Sequence, residues 1–149
     1  IDAPVPVAGL TAEQFAMECV CILREDDPLC EKTVITPRDL SGRPMIAVTG
    51  DHSVDRQLSQ VMAQADALLT HSASSYFYAI ARQLVAAGNS LAIIDPANGK
   101  ADLNDGVTWR PFEPKIKHEL VMITSRDHPL GLAAERIRDQ IQDGIVALT

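Results

Sequence analysis

The sequence predicts an α/β domain, a mostly parallel β-sheet with helices packed on its faces. Three observations lead there. Short apolar runs at residues 45–49, 67–71 and 91–95 each read as a strand. Between them, Val54, Leu58, Val61, Met62 and Ala65, and then Phe77, Ile80, Ala81, Leu84 and Val85, recur at the spacing of an amphipathic helix. Only tight turns separate strand from helix, Gly50-Asp51-His52-Ser53 and Ser72-Ala73-Ser74-Ser75, and strands alternating with helices in this way are joined as parallel neighbours.

Along the chain, residues 1–10 hold Pro4, Pro6 and Gly9 and read as an extended lead-in. Residues 17–24 are apolar on both faces, which suits a strand buried between two layers. Pro28 ends the excursion that follows, and Thr36-Pro37-Arg38-Asp39-Leu40 reads as a cap with proline at the first helical position. The helix over 77–85 closes at Gly88, and the strand over 91–95 stops at Pro96. Residues 97–106 read as a surface loop, and 107–112 as an edge strand because Pro111 and Pro114 remove ladder donors. Residues 119–124 form another strand. Residues 130–145 form a helix with Leu130, Ala133, Ala134, Ile137, Ile141 and Ile145 inward. Leu58, Met62, Phe77 and Leu84 are assigned to the core, and Arg136 and Arg138 to a solvated face beside Glu135 and Asp139.

The 149 residues are 46% hydrophobic and 4% aromatic, with 13 basic against 20 acidic side chains and a net charge of −7. This length suits one ordinary domain, or one and a half small ones. The acidic balance, without a Lys/Arg run, argues against direct nucleic-acid contact, which needs clustered cations. No apolar run approaches the roughly 20 residues of a membrane span. No basic n-region followed by an apolar h-region opens the chain, and three cysteines cannot all pair within it. A reducing cytoplasm is the expected compartment. Cys19, Cys21 and Cys30 form no CxxC pair and read as structural thiols. His52, His71, His118 and His128 show no metal-ligand spacing, so neither metal nor cofactor is expected.

Several segments in order, Asp27-Pro28-Leu29, Thr36 to Gly42, Leu84-Val85-Ala86-Ala87-Gly88-Asn89-Ser90-Leu91-Ala92-Ile93-Ile94-Asp95-Pro96, and His128-Pro129-Leu130, resemble the effector-binding domain of LysR-type transcriptional regulators. The run from Leu84 to Pro96 is the most specific. The resemblance implies a periplasmic-binding-protein-like (type 2) fold of two α/β lobes with a small molecule in the cleft. On that template residues 42–116 make up a largely complete second lobe. Residues 1–41 and 117–149 make up a truncated first lobe with the hinge strands, and no DNA-binding helix-turn-helix is present. A first lobe so reduced is expected to leave apolar surface over 17–24 and 130–145 that pairs with something else. Asn89-Ser90 departs from the family's second glycine, and Asp95-Pro96 resembles the branch that responds to amino acids or conjugates such as opines.

In an open α/β sheet a ligand sits beyond the carboxyl ends of the strands, where helix N-termini offer N–H groups and partial positive charge. The expected effector contacts are therefore Thr49, Asp51, His52 and Ser53 after the first of the parallel strands and Ser72, Ser74 and Ser75 after the second. Gly50 allows close backbone approach, and the hydroxyls suit a carboxylate. Asp95, at the end of the third, suits an ammonium group on the same molecule. By alignment to the family, Pro4 lies at the hinge. Each residue has a plainer reading: Asp51, Ser53 and Ser74 as N-caps, His52 as a solvated side chain, Asp95 as an Asp-Pro turn.

The leading expectation is a sensor that performs no chemistry, binding a carboxylate-bearing effector such as an amino acid or its conjugate. It would self-associate as a dimer or tetramer and reach DNA only through a domain outside this chain. A solute-binding protein of the same architecture is the second reading. A small α/β hydrolase-like enzyme is the third, opposed by the absence of a GxSxG elbow, a Walker loop or a GxGxxG.

Overall fold

The computed structural model of the chain describes residues 8–50, 52–88, 90–127 and 130–148. It divides into two compact units, Glu18–His118, and Ile1–Met17 together with Glu119–Thr149. Residues 18–41, which the resemblance placed with the first lobe, thus group with the strand–helix alternation: Cys21, Leu23, Ile35 and Leu40 share one core with Met45 and Leu58.

The larger unit begins at Glu18, the last residue of β1 (Leu10–Glu18), and its first strand is β2 (Val20–Arg24). The single strand expected over 17–24 is broken at Cys19, whose N–H turns to the Ile116 carbonyl at 2.8 Å. A 3-10 turn at Pro28–Glu31 and the short helix α1 (Pro37–Leu40) follow. Next come β3 (Pro44–Val48), α2 (His52–Gln64), β4 (Thr70–Ser75), α3 (Tyr78–Ala87), β5 (Ala92–Ile94), α4 (Pro96–Gly99) and β6 (Val107–Pro111). The strand read over 67–71 is displaced. β4 takes in Ser72-Ala73-Ser74-Ser75, and the turn is Tyr76-Phe77. Parallel pairing with β3, through an irregularity between Met45 and Ile46, holds these serines in extended form despite their weak strand propensity. Five of the six residues of β4 are exposed, and the one buried serine, Ser75, has its hydroxyl bonded to the Phe77 backbone.

β3 and β4 run parallel, and β2 lies antiparallel between β5 and β6. The Leu91 N–H donates to the Pro44 carbonyl at 3.0 Å and the Ile46 N–H to the Leu91 carbonyl at 2.8 Å, which joins β3 to the lead of β5. The strand order is therefore β4-β3-β5-β2-β6, with β6 at an edge as its prolines predict. Two cores cover the two faces. Cys21 and Leu23 of β2, with Cys19 just before it, meet Val54, Leu58 and Met62 of α2 on one side, while Val20 and Ile22 meet Ala81 and Val85 of α3 on the other. Alternate residues of one apolar strand thus feed different cores, the pattern of a strand buried on both faces. The Cys21 thiol is wholly buried and pushed up in pKa by that burial, so it remains protonated and inert.

Phe77 and Ile80 are corrections to the expected α3 stripe, being 63% and 52% exposed. The inward positions are Ala81, Arg82 and Val85. Arg82, 2% exposed, places its guanidinium under the α4–β6 connection. Nε and Nη2 donate to the two carboxylate oxygens of Asp105 at 2.7 and 2.8 Å, and Nη1 donates to the carbonyls of Asn98 and Gly99 at 2.7 and 3.1 Å. A buried charge is tolerated here because its donors meet a forked carboxylate and chain carbonyls.

In the smaller unit β1 pairs with β7 (Lys117–Ser125), and α5 (Leu132–Leu148) follows. Of the α5 stripe read as inward, only Ile145 is buried, while Ile137 and Ile141 are exposed. One ribbon and one helix offer too little surface to enclose it, and a continuous apolar face is left.

Arg82→Ala is expected to cost about 3–5 kcal/mol in urea unfolding, because Asp105 and chain carbonyls lose their donor in a buried site. Hydrogen bonding from Arg82 holds the Asp105 carboxyl below the usual carboxylate range. Its stabilisation is therefore complete above the unfolded value near about 3.9 and is lost as pH falls through the depressed folded value. Asp105→Asn should flatten the stability-versus-pH curve in that acid window.

Candidate functional site

The strand order reverses beside β3: the chain passes from β3 outward to β4, then returns to β5 on the other side. In sheets of this kind ligands bind beside such a reversal, at the carboxyl ends of the parallel strands. β3 delivers Thr49 and Gly50 to this edge, β4 delivers Tyr76 and Phe77, and β5 delivers Asp95.

The edge is tightly organised on the β4 side. The Thr49 N–H donates to the Ser75 carbonyl at 2.9 Å, with its hydroxyl at 3.4 Å from the same oxygen. A Cβ at Gly50 would fall within van der Waals distance of the Tyr76 carbonyl, so the glycine admits this neighbouring chain rather than a ligand. The buried Ser75 hydroxyl accepts from the Phe77 N–H at 3.2 Å and donates to the Phe77 carbonyl at 2.9 Å, fixing the turn into α3. Phe77 is the N-cap of α3 and supplies no side-chain cap. The Tyr76 and Phe77 rings, 66% and 63% exposed, pack edge to face with centroids 5.2 Å apart. Two helix N-termini, those of α2 and α3, therefore meet one sheet edge beside a hydroxyl and two solvent-facing aromatic rings. The helix N-termini bring backbone N–H groups and partial positive charge to this edge, offset by Asp55 in the first turn of α2, beside the apolar faces of the two rings.

The expected contacts separate into groups. Thr49, Ser53 and Ser75 lie at the edge. Ser53 stands in the first turn of α2, exposed. Asp95 also lies there but is 4% exposed, and its carboxylate caps α4. One oxygen accepts from the Ala97 and Asn98 N–H groups at 2.9 and 3.1 Å, the other from Asn98 Nδ2 at 2.9 Å. An ammonium ligand would have to share those lone pairs, and in place of the plain Asp-Pro turn expected there Asp95 caps the short helix α4. Ser72 and Ser74 are strand positions rather than turn residues. Ser72 Oγ lies 2.8 Å from Ser90 Oγ, which precedes β5 and so belongs to the opposite edge. Pro4 and Asp51 lie outside the described residues, as does the His52 side chain. Tyr76 and Phe77 escaped sequence reasoning, since a helical stripe assigned Phe77 to the core and nothing distinguished Tyr76.

A polar cavity of about 300 Å³ occurs at that opposite edge, lined by Arg24, Asp26, Asp27, Pro28, Arg43 and Ser90. Its guanidiniums are already paired, Arg24 with Asp26 at 2.7 Å and Arg43 with Asp27 at 2.5 Å. Position at the strand reversal is the better guide to a ligand, and it favours the carboxyl edge. Among the described residues no cluster of three or more His, Cys, Asp or Glu side chains is placed to hold a metal ion. No helix among them is long and apolar enough to cross a membrane.

A five-stranded sheet with one antiparallel member and helices on both faces defines an α/β lobe of the type 2 periplasmic-binding-protein-like class. Residues 2–145 match the model of the LysR substrate binding domain, and the chain belongs to that family. It is 23% identical over 148 residues to the transcriptional activator protein LysR of Escherichia coli K12, covering 96% of this chain and 46% of that one. A putative LysR family transcriptional regulator of Pseudomonas aeruginosa superposes with a TM-score of 0.70 at 13% identity, covering 94% of this chain and 50% of the other. The Synechocystis CcmR regulatory domain in complex with 2-PG superposes at 0.66 with 14% identity, covering 97% and 71%. The chain thus spans about half the length of the curated relative it matches.

Gly50→Ala should destabilise the fold by about 1–3 kcal/mol, because the new methyl meets the Tyr76 backbone rather than a flexible side chain. Thermal unfolding measures it. A cost near zero would mean that the two loops separate freely.

Proposed function

We propose that this chain is the effector-sensing part of a LysR-type transcriptional regulator and that it binds a small carboxylate-bearing molecule at the carboxyl edge of β3 and β4. The observation that carries this reading is the convergence of two helix N-termini at the sheet edge where the strand order reverses. A carboxylate there accepts backbone N–H groups and the Thr49 or Ser53 hydroxyl, while Tyr76 and Phe77 cover an apolar portion. Asp95 shapes the floor by fixing α4. The amino-acid or opine-like character of the effector rests on the Asp95-Pro96 resemblance alone. The 2-PG complex of the CcmR regulatory domain supports small-molecule binding by this fold.

In this account the chain performs no catalysis and works in the cytoplasm. It assembles as a dimer or tetramer, with DNA reached through another part of a longer protein. An effector coupling of about 1–3 kcal/mol would change the DNA-bound arrangement 5- to 150-fold.

A thermal-shift panel of amino acids, opine-like conjugates, quaternary amines and aromatic carboxylates tests the reading. At 100 times its dissociation constant a true effector adds about 2.7 kcal/mol. A carboxylate compound is expected to raise the midpoint and its carboxamide analogue is not. Equal shifts from both, or a response only to quaternary amines, would contradict a carboxylate effector.

A further inference from the structure

Gln57 lies in the second turn of α2 and joins two parts of the chain that sequence separates. Its Nε2 donates to the Lys117 carbonyl at 2.8 Å, and its Oε1 accepts from the Lys117 N–H at 3.0 Å, a matched pairing of carboxamide with peptide. The same Nε2 reaches the Ser53 carbonyl at 3.2 Å and the Ser53 hydroxyl at 3.3 Å. Lys117 opens β7, the strand by which the chain leaves the larger unit after His118. The His118 ring in turn meets Tyr78, the first residue of α3, edge-on at 5.6 Å. The two exit residues are thus held from the second turn of α2 and the first residue of α3, the two helices whose N-termini form the candidate site.

This pairing is exposed, so water would satisfy the Lys117 backbone equally well. A side chain immobilised on a peptide group 60 residues away fixes position rather than solvation. Nε2 has two protons for three acceptors: two on Ser53 and one on Lys117. A ligand that engages the Ser53 hydroxyl, or draws the first turn of α2 toward it, alters that sharing and so the hold on β7.

We propose that Gln57 is a positioning residue that couples effector occupancy at Ser53 to the backbone of Lys117, and so to the strand leading out of the larger unit. The proposal rests on the carboxyl-edge effector reading. The test uses the 15N-labelled 149-residue chain, with acetate as the carboxylate probe. In the unsubstituted chain acetate should move the Thr49, Ser53, Tyr76 and Lys117 amide signals together. In Gln57→Ala the first three should still move while Lys117 stays fixed, and its amide should exchange with solvent up to about tenfold faster, the scale of one lost hydrogen bond. Gln57→Glu keeps an acceptor for the Lys117 N–H but loses the donor to the Lys117 carbonyl and to Ser53, so its Lys117 amide should exchange more slowly than in Gln57→Ala while the coupled shift is lost. If Lys117 responds to acetate in Gln57→Ala as it does without substitution, the relay is overturned and the effector reading stands. If acetate leaves Thr49, Ser53 and Tyr76 unmoved, the effector reading is overturned and the relay falls with it.

Discussion

Strand β2 is the constraint on which the larger unit depends. It runs against the direction of its neighbours, pairs with β5 through Val20, Cys21 and Ile22, and pairs with β6 from Val20 to Arg24. Its side chains alternate between two cores, so the helices on opposite faces of the sheet share one strand as their common floor. A polar residue at Cys21 or Ile22, both fully buried, would enter a core with no partner for it. Because β2 holds β5 in place, it also sets where β5 ends beside β3. The strand order that defines the candidate site follows from a segment that contributes no side chain to it.

Arg82 completes the frame from the other side of the sheet. Its guanidinium ties α3 to α4 and to the approach to β6, while Asp95 caps α4 from the end of β5. Gly99 makes room for this arrangement, since a Cβ there would run into Val20 of β2. The polar scaffold beneath the carboxyl edge is thus closed by internal bonds, while the Tyr76 and Phe77 rings above it face solvent.

The order of elements was legible because the chain alternates between periods of two and 3.6 with glycine and proline between them. β2, β3, α2 and β6 follow directly from that pattern. What misled it was polar sequence in extended form. Thr70 to Ser75 carries no strand signature, and only pairing with β3 makes it a strand, which moved Ser72 and Ser74 out of the expected binding turn. The α3 stripe failed for a related reason: sequence pattern cannot show that Arg82 meets a carboxylate 23 residues away, so an arginine took an inward place while Phe77 turned outward. Of the expected effector residues, Thr49, Ser53, Ser75 and Asp95 do reach the carboxyl edge, because each stands where a parallel strand ends or a helix begins. The capping role of the Asp95 carboxylate was not legible, since Asp95-Pro96 reads as a turn into a polar loop over 97–106 and the short helix α4 forms there instead.

The central claim concerns place: a small anion binds where β3 and β4 end, not in the arginine-lined cavity at the other edge. The most direct measurement is a crystal structure of this domain with a carboxylate that raises its melting midpoint. The account predicts density for the carboxylate against Thr49 and the first turn of α2, with Tyr76 or Phe77 alongside. Density between Arg24, Arg43 and Ser90, with the carboxyl edge empty, would contradict it.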